Sequence, residues 1–199
     1  MPLFTVDLED WYHAIYPPRL WPGCREEIRE NTFCLLNILE KYHVKARFYI
    51  LGDIARRHEG LVESVAKHGH QLANHGMWHQ PSEKGVDRDC YDASYLIMCI
   101  GQRHNQYPPY TYRSPYWKHT AMPGMTGGVF FRVLPYWLFK SYLDESQVFW
   151  IHPHDIYGTP IREGSTFLQL KRKIGLRGAE EKLHRLLSET KFDDPWRAN

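Results

Sequence analysis

The sequence lacks the features that mark several large classes of protein. Its 199 residues include only four cysteines, at positions 24, 34, 90 and 99, and no two of them form a C-x-x-C pair. This spacing argues against a zinc ribbon and a disulfide framework. No basic stretch leads into an apolar run at the start, and no segment approaches the roughly 20 apolar residues that span a bilayer. We therefore expect a cytoplasmic protein with no membrane span and one domain over residues 1–199.

The chain also lacks a strong charge of either sign. A formal net charge of +2 gives no electrostatic reason to expect a nucleic-acid or anionic-membrane partner. Aromatic residues, by contrast, make up 15% of the chain, and there are 12 histidines. Disordered chains have the opposite composition, so we expect a compact fold with a cleft lined by rings. The histidines will need hydrogen-bonding partners or water.

Short strand patterns and helix patterns alternate along the chain. Strands are predicted at residues 3–8, 44–51, 71–74, 110–113 and 147–151. Helices are predicted at residues 25–43, 61–70 and 87–102 and in a C-terminal segment near 176–190. In the first helix, Asn31 or Thr32 is expected to cap the main portion. The alternation predicts a parallel sheet with outer helices, as either a (β/α) barrel or an open α/β sheet.

Residues that can bind metal or move protons follow several of the predicted strands. Glu9 and Asp10 follow the first strand, and the later strands end at His75, Arg113 and His152. In parallel α/β folds the reactive residues lie at the C-terminal ends of the strands. We therefore expect these side chains to meet at one edge of the sheet.

The stretch "HGMWH" places His75 and His79 four residues apart. This spacing alone is a weak signal, because such pairs often lie exposed on a helix or bind carbonyl groups. Here the pair follows a predicted strand, and an acidic cluster follows another. Two imidazoles and one carboxylate form a three-ligand site with a position open for water, as in catalytic zinc sites. We expect a divalent metal ion, with zinc as the first candidate among ions that suit these ligands.

Four stretches resemble the ordered motifs of the polysaccharide deacetylases, carbohydrate esterase family four: "TVDLEDWYH", "NHGMWHQ", "YRSPYW" and "FWIHPHDI". The first is most similar to the subgroup whose motif reads Asp-Val-Glu-Asp-Trp. The likeness covers most of residues 3–156 in the family's order. It implies a distorted or incomplete (β/α) barrel and a metal-dependent hydrolase that removes an acyl group, usually acetyl, from the amine of a sugar.

The resemblance also implies roles for the acidic cluster and the histidine pair. Glu9 matches the catalytic base, and an alternative register of the first motif places Asp7 there instead. The metal ligands implied are Asp10, His75 and His79. A base of this kind takes a proton from water, while a metal lowers the pKa of water and polarises the amide carbonyl.

Three further residues receive roles from the resemblance alone. Arg113 matches the arginine that holds the base, and Tyr116 matches the residue whose backbone N–H helps bind the oxyanion. His152 matches the general acid, with His154 as its nearest rival. The aspartate-containing strand that supports this acid in the subgroup is not visible in the sequence, and Asp155 is a candidate substitute.

Two features depart from the family pattern. The connection that follows "RSPYW" is shorter than in the subgroup. Arg47 stands where a small polar residue is usual, and we expect it to meet a core carboxylate. Both features bear on activity more than on fold.

Three functions from different classes fit these observations. The first is removal of an N-acyl group from an amino sugar of a glycan or its precursor, which makes a carbohydrate the expected partner. The second is hydrolysis of a small non-sugar amide, and the third is sugar binding by a catalytically impaired site. A base, an arginine that orients it and an acid favour the first, because pure binding requires none of them.

Overall fold

The computed structural model describes residues 1–79, 88–104, 106, 126–143, 148–159 and 164–197, with the backbone alone described at 88–91. One sheet has the order β3-β2-β1-β4, with strands β1 (Leu3–Leu8), β2 (Arg47–Ile50), β3 (Gln71–Asn74) and β4 (Val148–Ile151). Every pairing in it is parallel. The prediction of a parallel α/β fold with outer helices is confirmed. The sheet does not close over the described residues, which corresponds to an incomplete barrel.

Helices connect the strands and continue to the C-terminus. Their bounds are α1 (Ile28–Lys41), α2 (Gly52–Arg57), α3 (Glu59–Lys67), α4 (Arg88–Gln102), α5 (Gly128–Val133), α6 (Tyr136–Tyr142), α7 (Pro153–Tyr157), α8 (Thr166–Lys173) and α9 (Ala179–Glu189). Two 3₁₀ turns occupy Pro18–Gly23 and Leu176–Gly178. Among the described helices, none combines the length and apolar character that crossing a bilayer requires. The predicted strand at 110–113 lies outside the described residues.

The first strand separates a hydrophobic face from a polar one. Phe4, Val6 and Leu8 are fully buried in the main hydrophobic core. Because side chains alternate along a strand, Asp7 lies on the other face, and Glu9 follows directly after the strand. Burying three large apolar side chains of one strand stabilises the fold by about 1.5–3 kcal/mol for each. The core therefore fixes the strand that carries both acidic residues.

Helix α1 begins at Ile28, within the predicted range 25–43 but before the predicted cap at Asn31 or Thr32. Asn31 and Thr32, predicted as caps, lie inside the helix, where the N–H of Asn31 donates to the carbonyl of Glu27 and the hydroxyl of Thr32 donates to that of Ile28. This prediction is wrong because the acceptor for the first helical N–H groups comes from another segment. That acceptor is the carboxylate of Asp10.

The C-terminal segment packs against the rest of the fold. Leu183, Leu186 and Leu187 of α9 are buried in the main core. Arg47, for which we expected a core carboxylate, donates from Nη2 to the carbonyl of Pro195 at 3.1 Å and from Nε to the side-chain oxygen of Gln71. Arg47 therefore ties β2 and β3 to the end of the chain.

Candidate active site

Glu9, His75 and His79 converge at the C-terminal edge of the sheet. Glu9 follows β1 and is 1% exposed. Its Oε2 lies 3.0 Å from Nε2 of His79 and 3.9 Å from Nε2 of His75. The ligand atoms of all three residues lie within 4.8 Å of one another. One carboxylate and two imidazoles at this spacing fit a divalent ion such as zinc and leave a coordination position open.

The loop after β3 holds His79 in an unusual backbone conformation. Its φ of 54° lies in the left-handed region, which residues with a Cβ rarely adopt. Gly76, at the start of the same turn, has a φ of 84°. This turn brings the His79 ring back toward His75, and the two ring centroids are 5.2 Å apart. Backbone strain of this kind is often found at functional sites.

Asp10 does not join this cluster, although we predicted it as a metal ligand. Its Oδ1 accepts the N–H of Trp11 at 2.8 Å, and its Oδ2 accepts those of Glu27 at 2.7 Å and Ile28 at 3.0 Å. The carboxylate thus caps the start of α1, where unpaired N–H groups favour a negative charge. The predicted ligand set is corrected accordingly. Glu9, predicted as the base, is the carboxylate beside the two histidines.

Asp7, the alternative base, is close enough to act on this cluster electrostatically. It is buried, and its carbonyl accepts the N–H of Glu9 at 3.0 Å in the turn that ends β1. Burial alone would lower the pKa of His79, but the negative charges of Glu9 and, more weakly, Asp7 outweigh it and raise that pKa. The charges of two carboxylates, those of Glu9 and Asp7, therefore act on His79 at the C-terminal edge of the sheet.

His152 approaches Glu9 from the end of β4. Its Nε2 lies 3.1 Å from Oε1 of Glu9, and its Nδ1 lies 2.8 Å from Oδ2 of Asp155. Burial alone would lower the pKa of His152, but the charges and hydrogen bonds of Asp155 and Glu9 raise it to about 10. The prediction that Asp155 supports this ring is confirmed.

Arg132 continues this chain of contacts behind Asp155. Its Nε lies 3.5 Å from Oδ1 of Asp155, and its two Nη atoms donate to the carbonyls of Lys171 and Arg172. Arg132 is 8% exposed, so its charge acts in a region of low dielectric constant. We did not predict this residue from the sequence. The signal was a single arginine in the otherwise apolar stretch "GGVFFRVLPYWL".

His154 lies beside His152, but its pKa is shifted in the opposite direction. The two rings are stacked with centroids 4.7 Å apart and planes 6° apart. Burial and then the positive charge of His152 lower the pKa of His154 well below its usual value. The ligand atoms of His152, His154 and Asp155 also lie within 4.8 Å of one another, and Nδ1 of His152 already contacts Oδ2 of Asp155 at 2.8 Å.

Arg113 and Tyr116, predicted to hold the base and to bind the oxyanion, lie outside the described residues. Apart from Asp7, which is described above, the remaining predicted residues fall into two groups. Glu9, His75, His79 and His152 are brought together at one edge of the sheet, whereas Asp10 is directed toward α1.

Comparisons with known proteins assign most of the chain to two family models. A model described as polysaccharide deacetylase matches residues 22–121, just over half of the 199 residues. A model described as a domain of unknown function, DUF3473, matches residues 106–197. The two matches overlap at 106–121 and together leave only the start of the chain and its last two residues unmatched.

Individual relatives and solved structures agree with the first model. A chitooligosaccharide deacetylase from Rhizobium leguminosarum bv. trifolii is 42% identical over 75 residues, covering 34% of this chain and 35% of that protein. A peptidoglycan-N-acetylglucosamine deacetylase from Bacillus cereus is 34% identical over 89 residues, covering 44% of this chain and 32% of that protein. The chain thus spans about a third of these curated relatives. The solved structure of a peptidoglycan deacetylase from Bacillus subtilis shares the fold, with a TM-score of 0.57 and 16% identity over 96% of this chain and 85% of that chain.

Proposed function

The chain belongs to the polysaccharide deacetylase family, and we propose that it hydrolyses the N-acyl group, with acetyl as the expected acyl group, of an amino sugar in a glycan or its precursor. The observation that carries this proposal is the arrangement around Glu9. Its Oε2 faces the His75 and His79 pair, and its Oε1 faces His152. An amide needs both an activated water and a proton for the leaving amine, and these two sides offer both.

The residues on the Oε2 side of Glu9 are suited to metal binding and to general-base catalysis. A divalent ion held by Glu9, His75 and His79 would polarise the amide carbonyl and lower the pKa of water. Since Glu9 then serves as a ligand, Asp7 is the carboxylate we assign as the base that accepts the water proton. Arg113 and Tyr116 keep the roles that their motif implies, orientation of the base and an N–H for the oxyanion.

The residues on the Oε1 side of Glu9 are suited to general-acid catalysis. Asp155 contacts Nδ1 of His152 and, together with Glu9, raises the pKa of this ring, which favours its protonated form. A protonated imidazole there can give its proton to the amine as the carbon–nitrogen bond breaks. This supported acid favours catalysis over the alternative of an impaired sugar-binding protein, because binding a sugar requires no proton donor. It does not by itself distinguish a sugar amide from a small non-sugar amide.

The test is release of acetate by the zinc-saturated protein from N-acetylglucosamine oligomers, with formate release and simple N-acetyl amines as comparisons. Asp7→Asn should lower kcat by roughly 100-fold or more and leave the zinc content unchanged, because the amide cannot accept the water proton. Acetate release from simple amines alone would move the substrate to the non-sugar class. Full activity of Asp7→Asn would show that Asp7 is not the base.

A further inference from the structure

Helix α8 directs its large apolar side chains away from the core. Phe167 and Leu170 are 76% and 58% exposed, and Ile174, directly after the helix, is 42% exposed. These residues are three and four positions apart, so they form one stripe along the helix. Of the residues in α8, all of which the structure describes, only Arg172 is buried. A surface helix normally packs its apolar stripe on the core, and α8 has the reverse arrangement.

Close backbone packing joins the end of α8 to α5. The two Nη atoms of Arg132 donate to the carbonyls of Arg172 and Lys171 at 3.1 and 3.0 Å. A Cβ at Gly175, whose φ is 71°, would lie 2.7 Å from the carbonyl oxygen of Arg132. Only glycine permits so close an approach at a positive φ. The two helices therefore form one continuous part of the surface.

Helices α5 and α6 add exposed apolar side chains to this part of the surface. Phe130 and Val133 are three positions apart on α5, which places them on the same side of that helix. Trp137 follows at the start of α6. The three side chains are 42%, 47% and 72% exposed. We call the whole set the exposed apolar face, and its members are Phe130, Val133, Trp137, Phe167, Leu170 and Ile174.

The charges that accompany this face are all positive. Residues 127–143 and 164–178, which contain the face, include no aspartate or glutamate. Lys171, Lys173 and Arg177 in the second range are exposed. Among the ion pairs that the described residues form, none includes any of these three side chains. The formal net charge of +2 for the whole chain therefore does not describe this face, which is locally basic.

We propose that the exposed apolar face binds the surface of an anionic lipid bilayer, without crossing it. Phenylalanine, leucine and tryptophan side chains enter the boundary between headgroups and acyl chains, and the neighbouring cations attract lipid phosphates. A second copy of the chain is a poorer partner, because a two-fold interface through this face would bring the same cations together. The charge of the face thus complements that of an anionic membrane.

Bilayer binding places the candidate active site close to the lipid headgroups. A cavity of about 140 Å³, lined by Glu9 and His152, has Leu168 and Lys171 of α8 in its wall. A helix with its side chains is about 10–12 Å across, so about this distance separates the cavity from the apolar stripe of α8. The proposal concerns binding and not chemistry, so it stands independently of the proposed function.

Co-sedimentation with two kinds of vesicle tests the proposal. One kind contains phosphatidylcholine alone, and the other contains phosphatidylcholine with the anionic lipid phosphatidylglycerol. The wild-type chain should partition at least about tenfold more strongly into the anionic vesicles, because they attract the three exposed cations. Raising the salt concentration from about 0.1 M to about 1 M should remove most of this difference, since the Debye length falls from about 10 Å to about 3 Å. Equal partitioning into both kinds, or binding to neither, would overturn the proposal.

Two variants remove the apolar and the ionic contribution separately. Phe167→Ser should weaken binding to the anionic vesicles by roughly tenfold, because one aromatic ring no longer leaves water. The double variant Lys173→Gln, Arg177→Gln should weaken it by about fivefold for each cation removed and should reduce its dependence on salt. Both variants change exposed side chains, so thermal unfolding should show an unchanged midpoint. Unchanged vesicle binding by both variants would overturn the assignment to this face.

Matched controls make the same chemical changes on other helices. Tyr95→Ser removes a ring that is 63% exposed on α4, and Lys67→Gln removes a cation that is 61% exposed on α3. Both helices contact β3, at the opposite end of the sheet from β4. Vesicle binding should stay at the wild-type level in both controls. Losses in the controls equal to those in the variants of the face would show that the effect is not specific to it.

Sedimentation velocity without vesicles distinguishes a bilayer from a second copy of the chain. We expect wild type and Phe167→Ser to have the same sedimentation coefficient, because the face is free of protein partners in solution. A dimeric wild type that becomes monomeric in Phe167→Ser would make the face an interface between two copies and would overturn the proposal. Acetate release is not a readout in any of these experiments, so their outcome is separate from the test of the proposed function.

Discussion

Two regions of the molecule each place a pair of histidines at the C-terminal edge of the sheet, and they use them differently. After β3, the Nε2 atoms of His75 and His79 both face the same oxygen of Glu9. After β4, the rings of His152 and His154 are stacked, and His152 is the member held between Glu9 and Asp155. The first pair has the arrangement of metal ligands, and the second has that of an acid beside a neutral neighbour.

The difference shows that burial lowers the pKa of both rings of the second pair, and that the placement of carboxylates decides which ring overcomes it. Burial lowers the pKa of a histidine in every case. Two carboxylates in contact with His152 reverse the effect and raise its pKa to about 10, whereas His154 has the charged ring of His152 beside it and a lowered pKa. Identical residues two positions apart are thereby given opposite protonation states.

The largest expected effect separates the members of the second pair. His152→Ala should lower kcat by roughly 100-fold or more and retain zinc, because the leaving amine loses its proton donor. His154→Ala should lower kcat by only about fivefold or less, since a neutral ring cannot supply that proton. Steady-state kinetics of acetate release on both variants checks this. The opposite order of effects would make His154 the acid.

A smaller effect is expected for Asp155, the carboxylate that contacts His152 and raises its pKa. Asp155→Asn leaves His152 in place but removes the charge that raises its pKa, so we expect kcat to fall by roughly tenfold or more. The basic limb of the profile of kcat against pH should also move to lower pH, because His152 then loses its proton more easily. The profile, measured for wild type and variant, is the check. An unmoved basic limb would mean that Asp155 is only a packing residue.

The smallest effect concerns His70, which lies outside the site. Burial and, after it, the charge of Lys45 lower the pKa of His70 to about 3, while its Nδ1 accepts the N–H of Ala46. In the unfolded chain the value is about 6.5. The unfolded state therefore binds more protons between these two values, and the stability falls as pH falls through that window. His70→Gln removes this titration, so its unfolding free energy, measured by denaturant titration, should depend less on pH there. An equal slope would assign the acid sensitivity to other groups.

The fold could be predicted because its signals are local. The strand and helix patterns depend only on residues that are close together in the sequence. The strands predicted at 3–8 and 71–74 agree with β1 and β3. The predicted strand at 147–151 agrees with β4 to within one residue. The start of α1 could not be predicted in this way, because the group that caps it, Asp10, is distant in sequence from Glu27 and Ile28.

The sequence allowed us to predict which strand ends form the site. It did not allow us to predict which side chains face each other there. Glu9 and Asp10 are adjacent, have the same charge and are both 1% exposed. Which of them faces the histidines depends on where the start of α1 lies relative to β1, and that is a tertiary property. Asp155 was foreseen because it lies three residues from His152, within one helical turn. Arg132 was missed because only the packing of α5 brings it behind Asp155.

The central claim is that Glu9, and not Asp10, holds the metal with His75 and His79. Its most direct test is the zinc content of purified Glu9→Gln and Asp10→Asn, measured by elemental analysis at matched free zinc. Glu9→Gln should lose most of its zinc, because two imidazoles hold a divalent ion poorly. Asp10→Asn should keep one zinc per chain and lose stability, by about 1–3 kcal/mol, through weaker capping of α1. Full zinc in Glu9→Gln together with loss of zinc in Asp10→Asn would contradict the account.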